Sequence, residues 1–172
     1  MKYSKKNIAL SIIFMLFVQF KIYDAGANSL YKVQSIYDGD TLTINSGEKV
    51  RLLQIDTPEL SSKECYAKEA RALLIKLIGA SQVTLEADKV SANKDKFDRL
   101  LRYIIVDKTN LNLKLVEMGA ATPYFYKGER GKYSSALLIA AQTAKKNNIG
   151  LWKACPNTKL DPYKAVNSGV IR

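Results

Sequence analysis

Residues 51–59 read RLLQIDTPE. Leu52, Leu53 and Ile55 give this stretch the apolar content of a strand, and Asp56 and Thr57 stop it. Pro58 locks its own φ and pushes Thr57 toward extended backbone, so Asp56, Thr57 and Glu59 are held in a fixed relation. Arg51 and Asp56 are five positions apart. In a regular strand they point to opposite faces, so they share a site only where the strand bends, bulges or ends between them. We expect such a break near Gln54 to Asp56.

Upstream, LYKVQSIY at residues 30–37 alternates imperfectly and reads as a strand. Asp38-Gly39 makes a turn, and TLTIN at 41–45 is a second strand. With residues 48–55 as the third, short turns give an antiparallel meander. Downstream the period changes. Tyr66, Ala70, Leu73, Leu74, Leu77 and Ile78 recur at helical steps, and Gly79 ends the helix predicted over 66–79. Residues 82–88 form a fourth strand. RLLRYIIV at 99–106 has too few polar residues for one wet face and reads as a central fifth strand. Helices follow over 111–118, with Asn110 as N-cap, and over 132–147, where Lys145 and Lys146 suit the helix end. Trp152 is expected to pack back onto the barrel, and residues 157–172 read as a loose, flexible tail.

The chain has 172 residues and a net charge of +11, enough for one domain with a sizeable core. It has no histidine. That excludes histidine bases, His-dependent triads and His-ligated metals, and two cysteines cannot supply a four-thiolate site. Residues 1–27 read as an export signal: Lys2, Lys5 and Lys6 precede the apolar run 8–18, and Ala25-Gly26-Ala27 fits a cleavage site. An uncleaved anchor over residues 8–20 or a buried first helix is the alternative. The expected location is secreted or periplasmic. Without residues 1–27, which carry four lysines and one aspartate, the charge falls from +11 to +8. A basic balance suits a polyanion but does not choose between nucleic acid and a membrane surface. Cys65 and Cys155 are an even pair, read either as one disulfide in an exported chain or as two free thiols.

Three segments, in order, carry a resemblance: DGDT at 38–41, RLLQIDTPE at 51–59, and DKFDR at 95–99. Together they resemble the staphylococcal nuclease family, over roughly residues 29–156. The resemblance implies a mainly β, α+β fold: a five-stranded OB-type barrel with three packed helices. Barrel closure comes from the resemblance; the periodicity supports only the strands. It places the nuclease domain over 28–156.

The resemblance also implies an activity, calcium-dependent endonucleolytic cleavage of DNA and RNA with little sequence preference, leaving 3′-phosphates. Asp40 and Asp56, with the backbone carbonyl of Thr57, match the positions that hold one Ca²⁺. Oxygen donors suit such a hard cation. Glu59 matches the general base, and Arg51 and Arg99 match the phosphate-binding arginines. A guanidinium fork pairs two phosphoryl oxygens at once, which lysine cannot. Lys96, Tyr124 and Tyr126 match positions that hold the nucleotide's phosphate and base. Taken singly, Asp40 is an ordinary turn aspartate and the two tyrosines are ordinary strand packing. The chain departs from the pattern at Phe97, where tyrosine is usual, and at Asp98 and Leu100, where glycines flank the arginine. Asp98 tolerates positive φ better than most residues, so the turn is expected to survive. We expect a monomer with DNA and RNA as substrates and no stable membrane partner after signal removal. The competing readings are a non-catalytic OB module that binds single-stranded nucleic acid, and an envelope-attached protein whose basic surface meets anionic lipid.

Overall fold

A computed structural model describes residues 29–170. The expected signal segment, residues 1–27, lies outside these residues.

The five strands foreseen from alternation are present. The first is interrupted at Lys32 into β1 (Leu30–Tyr31) and β2 (Val33–Ile36); β3 (Thr41–Ile44) and β4 (Lys49–Leu52) follow. β2, β3 and β4 pair antiparallel, as a meander should. Three strands are two residues long: β5 (Ile55–Asp56) continues the predicted strand 48–55 past its break, β9 (Thr122–Pro123) falls in residues 122–127, which read as extended, and β8 (Thr109–Asn110) was not foreseen. They are too short to show a period. β6 (Val83–Glu86) pairs antiparallel with β7 (Leu100–Val106). β7 also pairs parallel with β4, so it is central, as its apolar run suggested.

The main sheet runs β1-β6-β7-β4-β3-β2, with β8 on β7. Among the described residues no ladder joins its two ends. The terminal strands β1 and β2 are instead consecutive in the chain, separated by Lys32, whose carbonyl accepts from Asn45 N at 2.9 Å. The sheet is of OB type, but among the described residues it stays open where a closed barrel was expected. Inside it pack Leu42, Ile44, Val50, Leu52 and Ile104, all essentially inaccessible.

The helix α1 (Ala67–Ile78) turns Ala70, Leu74 and Ile78 into that core, at the four-residue steps that put side chains on one face. The helix α2 (Leu111–Glu117) starts where Asn110 Oδ1 accepts from Leu113 N at 3.1 Å, the expected cap. The helix α3 (Ser134–Lys146) buries Leu137, Ala141 and Ala144. A fourth, one-turn helix α4 (Leu151–Ala154) was not foreseen. Trp152 sits there in a separate small cluster with Ala144, Leu151 and Cys155, and not in the barrel core. Cys65 and Cys155 are bonded, with S–S 2.01 Å, and join the start of α1 to α4.

Residues 157–170 do not hang free as a loose tail would. They run back across the domain, with Thr158, Val166 and Ser168 buried and Val170 bridged to Glu64.

Candidate active site

The site begins with the break between β4 and β5. Leu52 ends β4, and Gln54 takes a left-handed backbone at φ 58°. β5 leaves the main sheet and pairs with β9 instead, so the expected break falls at Gln54. Arg51 can then reach over it. Its Nη1 donates to the carbonyls of Leu52 and Ile55, both at 2.8 Å, and its Nη2 to Asp56 Oδ1 at 2.6 Å. The same Nη2 lies 3.1 Å from Asp40 Oδ2. One guanidinium thus bridges the two aspartates that the sequence pairs.

The DGDT turn is locked against the TPE turn. Asp40 Oδ2 accepts from both Thr57 N (2.9 Å) and Thr57 Oγ1 (3.1 Å). Its backbone carbonyl accepts from Leu52 N at 2.8 Å. Gly39 is needed here for space: a Cβ would meet Thr57 Cγ2 at 2.8 Å and Ala70 Cβ at 2.9 Å, closer than such atoms approach. Asp38, which the sequence reading passed over, accepts from Asp40 N at 3.0 Å and is itself 4% exposed. The signal was in the motif, since an aspartate two positions ahead of a turn residue commonly receives its N–H.

Arg99 arrives by the parallel ladder. Arg51 pairs with Leu101, and Arg99 stands two positions before Leu101, on the same face. Its Nη1 is 3.5 Å from Oγ1 of Thr41, which is itself Arg51's partner on β3. Its Nε donates to Asp95 Oδ2 at 2.7 Å, while Asp95 Oδ1 accepts from Arg99 N. Asp95 therefore aims Arg99, a role sequence reasoning missed although the two stand four positions apart. Asp98 adopts φ 63°, as the departure from glycine required, and its carboxylate goes to Lys94 Nζ at 2.9 Å, not to Arg99. Phe97 is exposed and lies against Lys96 and Arg99, with the guanidinium carbon 5.4 Å from the ring centre.

Arg51, Asp56, Glu59, Lys96, Arg99, Tyr124 and Tyr126 line one cavity of about 550 Å³. Asp40 and Thr57 stand behind its floor, bonded to it through Arg51 and to each other. All nine candidate site residues are therefore gathered at one place. Gln54, another floor residue, has its amide tied to the carbonyl of Glu129 at 3.2 Å and its side-chain oxygen to Tyr103 Oη at 2.9 Å. Tyr124 N donates to Gln54 O at 2.9 Å, which fixes the aromatic wall to the floor.

The electrostatics are those of crowded acids around one base. Burial works against charge on Arg51, but Asp40 and Asp56 outweigh it, so the guanidinium is held protonated. Burial, with Asp40 adding, raises Asp38 to about 6. Burial also pushes Asp56 upward, against the pull of Arg51. Glu59 stands exposed at the rim, and partial burial of its carboxylate together with Asp40 raises it as well. Among the described residues no three carboxylate, thiolate or imidazole side chains are grouped to share an ion. Side chains alone thus offer an ion the carboxylates of Asp40 and Asp56, and further donors must come from backbone oxygen and water.

Two arginines and two aspartates thus meet at one end of an OB-type sheet. Residues 49–154 match the model of the staphylococcal nuclease homologue family, and the chain belongs to that family. It is 29% identical to an uncharacterized endonuclease of Haemophilus influenzae, over 91% of this chain and 83% of that protein. It is 32% identical to the thermonuclease of Staphylococcus intermedius, over 72% of this chain and 76% of the relative. Endonuclease YncB of Bacillus subtilis is 32% identical over 67% of this chain and 57% of its own length. These relatives support an endonuclease function.

Proposed function

We propose that the protein is an exported, calcium-dependent endonuclease that hydrolyses DNA and RNA with little sequence preference and leaves 3′-phosphates. The observation that carries this reading is the convergence of Arg51, Asp56, Glu59 and Arg99 on one cavity, with Asp40 bonded to Arg51 and Thr57. The disulfide between Cys65 and Cys155 supports an oxidising compartment.

The donor set fits a hard divalent cation. Asp40 and Asp56 share a single guanidinium, with Asp38 buried beside Asp40, so the floor holds more carboxyl groups than cations. Asp40, Asp56 and the Thr57 carbonyl would hold Ca²⁺, with water completing its shell. A bound Ca²⁺ supplies Lewis-acid neutralisation of charge on the phosphoryl oxygens.

The chain's own groups do the rest. Arg99, held by Asp95, presents its free nitrogens to a phosphoryl oxygen. Arg51 binds another as negative charge grows in the transition state, where oriented donors gain most. Glu59, with its raised proton affinity, accepts the proton of the attacking water. Lys96 takes a neighbouring phosphate, and Tyr124 and Tyr126 offer faces to the bases, a contact indifferent to sequence.

The test is digestion of DNA and RNA by the purified protein with Ca²⁺, with Mg²⁺ and with chelator, beside Glu59→Gln. Calcium-stimulated release of acid-soluble products is expected, with turnover about a hundredfold lower in the variant. DNA retention without any product at millimolar calcium would favour the non-catalytic binding module.

A further inference from the structure

The family match ends at Ala154, yet the chain beyond it reaches the centre of the site. Within residues 162–169 a C-terminal strap touches three parts of the domain. Pro162 O accepts from Phe125 N at 2.7 Å, and the Tyr163 ring meets Phe125 edge-on, between the two wall tyrosines Tyr124 and Tyr126. Val166 N donates to Asp56 Oδ2 at 2.8 Å, a buried bond. Ser168 Oγ donates to Cys65 O at 2.8 Å, and Gly169 O accepts from Cys65 N at 2.7 Å. The strap is thus fastened on both sides of Val166, to the aromatic wall before it and to the disulfide-bonded base of α1 after it.

Asp56 therefore has one donor on each oxygen: Arg51 on Oδ1 and Val166 N–H on Oδ2. These two bonds differ in permanence. Arg51 is the group assigned to phosphate, and each bond it turns toward substrate weakens its hold on Asp56. The Val166 N–H belongs to a backbone anchored at Phe125 and Cys65 and has no other task. From this geometry we propose that the C-terminal strap is a working part of the active site. Through Val166 N–H it keeps the Asp56 carboxylate aimed at the cation while Arg51 is engaged with phosphate. The strap is a positioning element; it touches neither substrate nor ion. The inference rests on the calcium-dependent reading above.

The test compares Val166→Pro, which deletes the N–H, with Val166→Ala, which keeps it. Three quantities are measured: the calcium dissociation constant by titration calorimetry, the separate kcat and KM on single-stranded DNA, and the thermal midpoint. Loss of a group that orients a metal ligand commonly weakens metal binding 10- to 100-fold. We expect Val166→Pro to weaken calcium binding about tenfold and to lower kcat, with KM for DNA within about twofold of wild type. Val166→Ala should keep the wild-type calcium affinity and kcat, with a lower thermal midpoint from the loss of buried side-chain atoms. A folded Val166→Pro protein with calcium affinity and kcat within about twofold of wild type would overturn the proposal. If proline prevents folding, ligation at Cys155 of a synthetic segment carrying an ester at the Val166 linkage removes the same N–H and leaves the side chain in place. Its calcium affinity then decides on the same terms. Wild-type protein that binds no calcium would refute the functional reading itself, and this inference with it; normal wild-type binding with an unaffected variant refutes the strap alone.

Discussion

Arg51→Ala tests the charge balance of the site without reference to catalysis. The side chains of Arg51, Asp40 and Asp56 are 13%, 3% and 11% exposed, so solvent screens their interaction little. Removing the cation leaves two buried carboxylates facing each other and strips donors from the carbonyls of Leu52 and Ile55. Breaking a buried pair from one side costs about 3–5 kcal/mol, a large share of the 5–15 kcal/mol that keeps a domain folded. Urea unfolding in chelator should show that loss. Arg51→Lys should lose less, since it restores the charge but not the fork that spans two aspartates and two carbonyls. With calcium in excess, the gap between Arg51→Ala and wild type should narrow, because a divalent cation replaces the missing charge and binds the variant's unpaired carboxylates more tightly. A variant within about 1 kcal/mol of wild type in chelator would refute the view that this guanidinium neutralises the floor.

Two further outcomes are expected. Burial pushes Asp88 upward, but N–H groups of Val90 and Lys132 and the Tyr103 hydroxyl outweigh it and hold the carboxyl below its usual value. Its stabilisation is therefore present above the unfolded value near 3.9 and lost as pH falls through the lower folded value. Asp88→Asn should cost stability at pH 7 and progressively less below about pH 4, and a pH-independent difference in urea midpoints would contradict this. The disulfide closes a sequence separation of 90 residues. Cys65→Ser with Cys155→Ser should cost about 2–5 kcal/mol, with reductant lowering the wild-type thermal midpoint to match; an unmoved midpoint under reductant would count against it.

The elements legible in the sequence were those long enough to repeat. β7 carries a single charged residue, Arg102, in seven, and α1 repeats its apolar face from Ala67 to Ile78. β8 was hidden because a two-residue strand exists only through its partner, here Thr109 opposite Val106. The break at Gln54 was readable because Arg51 and Asp56 could not otherwise share a face. The site's primary carboxylates and arginines were marked by the three motifs, but the residues that aim them were less visible. Asp38 and Asp95 lay inside those motifs and could have been found from turn chemistry. Val166 could not: it acts through a backbone N–H, 110 positions from Asp56, and a main-chain donor leaves no mark on residue type. The expectation of a loose tail failed for the same reason, since most of the contacts of residues 162–170 are long-range.

The parallel pairing of β4 with β7 has a consequence for synthesis. Val50 meets Leu100 and Leu52 meets Arg102, so half of the central seam is made long before the other half leaves the ribosome. A nascent chain that has emerged only as far as α1 holds Asp40, Arg51, Asp56 and Glu59 but neither Arg99 nor the strand that backs them. Contacts between such distant segments form late and slowly. The site is therefore complete only after β7 has joined β4 and the C-terminal segment has reached Asp56.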